Sequence, residues 1–188
     1  MSTKYKVYNN ERPYFITLTV ADWIDLFTRK NQKHNIVEAI EYCQKNKGME
    51  VFAWCLMPSH LHMICASKGD FILSDTIRDF KKYTSRKILE LIEEEPESRR
   101  EWILDKFRSA CSHLSRNQKN KVWQTGYHGI ELFSPNFTQQ KIDYIHNNPV
   151  VDELVATPEE YLYSSARDYA GEKGLIHITI IERQWTTL

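Results

Sequence analysis

The chain has 188 residues, of which 41% are hydrophobic and 27% charged, a balance that fits a single soluble globular domain and excludes a disordered, collagen-like or coiled-coil chain. Its 25 Lys and Arg offset 25 Asp and Glu, so total charge does not announce a nucleic-acid binder, and any such surface has to be local. No apolar run approaches the ~20 residues of a bilayer span, and the N-terminus lacks the apolar stretch of a secretory signal, so a cytoplasmic protein without a membrane partner is expected.

In chain order, residues 14–20 (YFITLTV) are β-branched and aromatic and predict a first strand. Residues 32–47 predict a helix, with Ile36, Ala39, Ile40 and Cys43 at helical spacing and Gly48 as its stop. Residues 50–56 (EVFAWCL) are apolar on both faces, which predicts a central strand. Met57, Pro58 and Ser59 turn the chain into a third strand, 60–66, its antiparallel partner. Ser74 is expected to cap a helix reaching Glu94, with an inner stripe of Ile77, Phe80, Thr84, Ile88 and Leu91 and Pro96 beyond it. An extra amphipathic helix is expected over 99–114, with Ile103, Phe107, Ala110 and Leu114 on one face, followed by a basic loop at 115–120. Residues 78–121 carry 12 Lys and Arg against 8 Asp and Glu, whereas 150–160 are acidic. A further strand is expected within 121–133. Ser134 and Pro135 open a helix expected to end near Asn147, because Pro149 discourages continuation. A short helix near 158–167 and a strand at 175–181 complete the reading. Cys43, Cys55, Cys65 and Cys111 form no CxxC pair and read as small buried hydrophobes.

The order β-α-β-β-α-insert-β-α predicts an α+β, ferredoxin-like antiparallel sheet with helices packed on one face. One domain over 1–188 is expected, with a helical insert at about 97–120 and a C-terminal extension at about 150–188.

Four groups of residues could carry chemistry. His60 and His62, two apart on a strand, share a face and could share a divalent ion; equally, a bare HxH can be two chance histidines. Tyr144 sits on a stripe with Phe137, Lys141 and Asn148, either as an exposed nucleophile or as an amphipathic residue at the edge of the core. Asn148 could offer an oxygen ligand or cap the helix end. Arg78, Lys82 and Arg86, with Lys81 beside them, form a cationic stripe suited to phosphates or to a solvated face paired with Asp75 and Asp79. Trp123, Tyr127 and His128 follow a run of cations and could stack on unpaired bases, although Trp123 could instead belong to the core.

Together these segments resemble a known family. MPSHLHMI at 57–64 is similar to the MPNHxH-type segment of HUH single-tyrosine transposases. WQTGYH at 123–128, YIHNNPV at 144–150 and YLYSSA at 161–166 resemble the REP-associated tyrosine transposase branch, and the likeness runs from about Tyr14 to Tyr169. The resemblance implies a ferredoxin-like sheet with both histidines on a central strand. It also implies a Mg2+- or Mn2+-dependent endonuclease and strand transferase that acts on single-stranded DNA bearing hairpins or palindromic repeats. It assigns His60 and His62 as metal ligands, Asn148 as a third ligand and Tyr144 as the nucleophile that forms a 5′-phosphotyrosine. Relatives from insertion sequences often carry Gln where Asn148 stands, and Asn where Ser59 stands. By the same resemblance, Arg78, Lys81, Lys82, Arg86, Trp123, Tyr127 and His128 would contact DNA. A homodimer is admitted, as is association with the nucleoid when DNA is bound. The rival readings are a non-catalytic DNA-binding protein on the same fold and an HxH metal hydrolase of another substrate.

Overall fold

The computed structural model describes residues 12–111 and 119–182, and of His128 the backbone alone. Strand β1 (Tyr14–Thr19) leads through two short 3-10 turns to helix α1 (Lys30–Asn46), followed by β2 (Met49–Met57) and β3 (His60–Ser67). Helices α2 (Leu73–Glu94) and α3 (Arg100–Ser109) come next, then β4 (His128–Glu131), α4 (Pro135–Val151) and α5 (Ala166–Tyr169). The strands form one antiparallel sheet in the order β2-β3-β1-β4. No helix among the described residues is long and apolar enough to cross a membrane.

Strand alternation sorts the side chains into two cores. Tyr14, Ile16 and Leu18 of β1 and Leu61, Met63 and Cys65 of β3 face α1 and α2, where Ile36, Ile40, Ile77, Phe80 and Ile88 meet them. These are the two helices expected on one face. Phe15, Ala53, Cys55, Met57 and Ile64 face the other way and are covered by Ile142 and Ile145 of α4. His60 and His62 share the parity of Ile64 and therefore lie on the α4 face. All four cysteines are buried and free.

Several local expectations hold for visible reasons. Gly48 ends α1 with φ +59, and a side chain there would run into the Phe71 ring and the Lys68 carbonyl. Ser134 caps α4 by accepting a hydrogen bond from Phe137 N at 3.3 Å.

Other elements differ from expectation. Helix α2 starts at Leu73, with Ile72 rather than Ser74 at its N-cap, because Leu73 is drawn fully into the core. Ile92 takes the inner position expected of Leu91. Helix α4 runs through Pro149 to Val151 instead of stopping near Asn147. Proline removes one backbone bond there, but its ring is buried and the last turn closes through Asp152 N to Asn148 O and Leu154 N to Pro149 O. Residues 158–167 hold a 3-10 turn (Pro158–Glu160) and α5 rather than one helix. Leu114 and Arg116 lie outside the described residues.

Strand β2, expected to be central, ends the sheet ladder. Its apolar character has another cause: the C-terminal segment seals its outer edge. Leu56 N donates to Tyr163 O, Ser165 N to Trp54 O and Thr179 N to Val51 O. The Tyr161 and Tyr169 hydroxyls donate to the Leu56 and Phe52 carbonyls at 2.8 and 3.0 Å. An edge covered in this way needs no charge to keep other strands off. Residues 175–181 form no strand and bond to β2 at Thr179, whose N donates to Val51 O and whose Oγ1 donates to Glu50 Oε1 at 2.8 Å.

Ser165 joins this seal to α4. Its Oγ accepts from Trp54 N at 2.9 Å and lies 2.8 Å from His146 Nε2. Ser165→Ala strips the buried Trp54 N–H and His146 of this partner. It should lower the unfolding free energy by about 1–3 kcal/mol, measured by urea denaturation, with an unchanged m-value.

Candidate active site

The hairpin between β2 and β3 places two imidazoles side by side. Met57 pairs with His60 and Cys55 with His62, while across the other edge Thr17 pairs with His62 and Thr19 with His60. Strand β3 is thus flanked on both sides, and the His60 and His62 rings meet at 4.6 Å between centroids. The strand that feeds them holds them in place. His62 Nδ1 lies 2.8 Å from Thr17 Oγ1, and its ring stacks on Phe15 at 5.5 Å and 22°. His60 Nδ1 lies 3.1 Å from Ser59 Oγ.

Helix α4 brings the tyrosine. Because Ile142 and Ile145 seat the helix on the sheet, Tyr144 falls beside the histidines, 5.3 Å from the His62 ring and 5.9 Å from Phe15. Tyr144 remains 48% exposed, so its hydroxyl can meet a large substrate. One turn earlier, Lys141 holds its ammonium 5.5 Å from the Tyr144 ring and 5.0 Å from Phe15.

The electrostatics favour neutral imidazoles. Burial pushes His62 down to about 3, with His60 and Lys141 adding to the shift. Burial also lowers His60, and Asp152 opposes it. Both rings therefore keep a lone pair near neutral pH. With each Nδ1 next to a hydroxyl, Nε2 is the atom an ion would take. In His62 that atom is buried and has no hydrogen-bond partner among the described residues. A buried, unpartnered nitrogen carries a desolvation cost, and a cation would relieve it. The pair therefore fits a divalent metal. Asn148 Nδ2 donates to the Tyr144 carbonyl at 2.8 Å. Among the described residues, no cluster of three His, Cys, Asp or Glu forms a self-contained metal site.

The candidate DNA contacts fall in different places. Arg78, Lys82 and Arg86 are exposed on α2, on the sheet face opposite the histidines. Arg78 pairs with Asp75 and Asp79, and Arg86 with Glu90. Lys81 is turned inward: its amine donates to the Gln124 and Gly126 carbonyls at 2.7 and 2.6 Å, and burial pushes it down to about 8. Trp123, 4% exposed, lies against the Phe27 and Phe80 rings and donates to Thr84 Oγ1 at 3.0 Å. It packs as core and has no face to offer a base. Tyr127 is half-buried against the same core, and burial pushes its hydroxyl up to about 12. The side chain of His128 lies outside the described residues.

Phe15 and Thr17, which hold the His62 ring, are not marked by any motif in the sequence. Their signal was the same period of two on the first strand that marks the histidines on the third.

A family model described as "Transposase IS200 like" matches residues 14–107. Among solved structures, the chain is similar to a REP-associated tyrosine transposase bound to a REP hairpin. The match covers 100% of this chain and 99% of the other, with 22% identity and a TM-score of 0.65. It is also similar to a putative transposase from Deinococcus radiodurans, over 78% of this chain and 97% of the other, at 16% identity and a TM-score of 0.42. No curated protein gives a significant match.

Proposed function

The chain belongs to the IS200-like transposase family, and we propose that it is a metal-dependent endonuclease and strand transferase for single-stranded DNA, with Tyr144 as its nucleophile. One observation carries this reading: an exposed tyrosine ring lies 5.3 Å from a histidine whose buried Nε2 lacks a partner among the described residues. That pairs a nucleophile with a metal-ligating atom in one place.

In this reading Tyr144 Oη attacks the scissile phosphorus in line. The bond to the phenolic oxygen forms as the bond to the 3′ oxygen breaks, leaving a 5′-phosphotyrosine and a 3′-hydroxyl. The phenol proton passes to solvent and the departing 3′ oxygen takes one up. A phenol, with a pKa of ~10, leaves more readily than an alkoxide, so a later 3′-hydroxyl can reverse the step without ATP. Mg2+ or Mn2+, held by His60, His62 and Asn148, would neutralise charge on the phosphate oxygens. Thr17 and Phe15 fix the His62 ring, and the Lys141 ammonium draws the phosphate toward Tyr144.

We read the substrate as a hairpin or palindromic repeat with a flanking single strand; the REP-associated transposase that shares this fold is bound to a REP hairpin. We also read the whole chain as one functional unit, with an insert at about 97–120 and an extension at about 150–188. A hydrolase of small substrates has less support, since the described residues add no third His, Cys, Asp or Glu to the histidine pair. The test is incubation with labelled hairpin oligonucleotides and Mg2+ or Mn2+, read on a denaturing gel. Cleavage with a protein-linked band is expected, and both should vanish in EDTA. DNA retained without cleavage would favour a binding protein.

Arg78, Lys82 and Arg86 are assigned to backbone phosphates because they lie at intervals of four on one exposed helix face. The pairs of Arg78 and Arg86 to carboxylates are exposed and weak, so a phosphate can replace them. Changing all three to Gln should flatten the plot of log affinity against log salt by roughly 2, at ~0.7 per contact on single strands. An unchanged slope would leave these residues as ordinary solvated surface.

A further inference from the structure

Between β1 and α1 the chain makes an unusual excursion. Asp22 and Trp23 follow one another with φ of 54 and 56, a left-handed conformation that side-chain-bearing residues rarely adopt, and here in direct succession. Trp23 is 61% exposed, whereas Trp54 and Trp123 are buried. Its ring stands edge-on to His60, with centroids 5.5 Å apart at 72°. The segment is bolted to the turn that precedes the histidines: Val20 N donates to Ser59 O at 2.9 Å and Phe27 N to Pro58 O at 2.8 Å. The inserted region braces it from outside, through Lys106 to Asp22 at 3.3 Å and Arg99 to Asp25 at 2.5 Å.

A tight loop held in an unfavourable conformation, and tied down on two sides, fixes the direction of its side chains. What this loop fixes is a large aromatic surface left in water at the rim of the His60–His62–Tyr144 site. A buried position would stabilise an indole more, so the fold does not place it there for the core. The neighbouring site is proposed to take a single strand, and an exposed indole is the group that accepts the face of an unpaired base.

We propose that Trp23 is a stacking platform for an unpaired nucleobase within one or two nucleotides of the scissile phosphate. The proposal rests on the nuclease reading above. It adds a contact to the strand beside the reacting phosphate, independent of the α2 stripe on the opposite face.

The test combines an abasic scan with Trp23→Ala and Trp23→Phe. Binding is measured in a Tyr144→Phe background, so that DNA is not consumed, with oligonucleotides carrying one abasic site at successive positions around the mapped cleavage point. Trp23→Ala should weaken binding of intact DNA by on the order of tenfold to a hundredfold, the worth of one base–aromatic stack. One abasic position should cause the same loss by itself, and Trp23→Ala should add nothing on that oligonucleotide. Trp23→Phe should recover most of the affinity, which also shows that the loop folds. Binding by Trp23→Ala within twofold of its parent, or an equal loss on every abasic oligonucleotide, overturns the proposal. If the chain with Tyr144 intact forms no adduct and binds no oligonucleotide, the nuclease reading falls and the platform with it. If adducts form but Trp23→Ala loses nothing, the platform alone falls.

Discussion

Tyr144→Phe should abolish cleavage and the covalent protein–DNA band while leaving hairpin affinity within about threefold. The ring makes edge contacts with His62 and Phe15 and lies under the Lys141 ammonium, and Phe keeps all of these. Only the oxygen goes, and in the proposed reaction no other group can take the phosphorus. A catalytic loss of at least 10³-fold is expected in a single-turnover assay, with the melting temperature unchanged within a few degrees. If an adduct still forms at the original rate, the nucleophile lies elsewhere, and Tyr127 is the next residue to change. Its half-buried hydroxyl, pushed up to about 12, makes it a poor second candidate.

His62→Ala should be as damaging to activity for a different reason. His62 supplies the buried Nε2 that lacks a partner, and its ring is held by Thr17 and Phe15. Loss even of a residue that orients a ligand commonly costs 10–100-fold in metal affinity, so loss of a ligand should cost at least 100-fold. Calorimetric titration with Mn2+ should show binding by the parent and none by the variant at millimolar ion. The fold should survive, because the deleted ring carries an unsatisfied polar atom whose removal offsets part of the lost packing on Phe15. His60→Ala should behave alike. Full cleavage by either variant, or cleavage by the parent in EDTA, would remove the metal from the account.

How far the sequence spoke depended on whether a residue's pattern had one physical cause or several. Period-two alternation has essentially one, and it places His60 and His62 on a common face. Helix α4 seats Ile142 and Ile145 on the sheet and so brings Tyr144 beside His62, a meeting that local spacing does not give and that only the family resemblance implies. Strand β2 misled because an apolar strand can be central or can be an edge sealed by a distant segment, and nothing local tells Tyr161 to donate to Leu56 O. Trp123 and Lys81 misled likewise. An aromatic among cations looks the same whether it stacks on a base or is packed against Phe80. A lysine in a basic stripe looks the same whether it meets phosphate or two backbone carbonyls. Pro149 looks like a stop in the sequence because the burial that offsets its missing bond is tertiary. The left-handed turn at Asp22 and Trp23 was illegible because no glycine marks it.

The covalent bond proposed at Tyr144 can be observed directly. The measurement is mass spectrometry of the trapped protein–DNA adduct after nuclease and protease digestion. A nucleotide 5′-phosphate on the peptide containing Tyr144, dependent on Mg2+ or Mn2+ and absent in His62→Ala, is the predicted result. Cleaved DNA with no modified peptide, or a phosphate on any other residue, would contradict it.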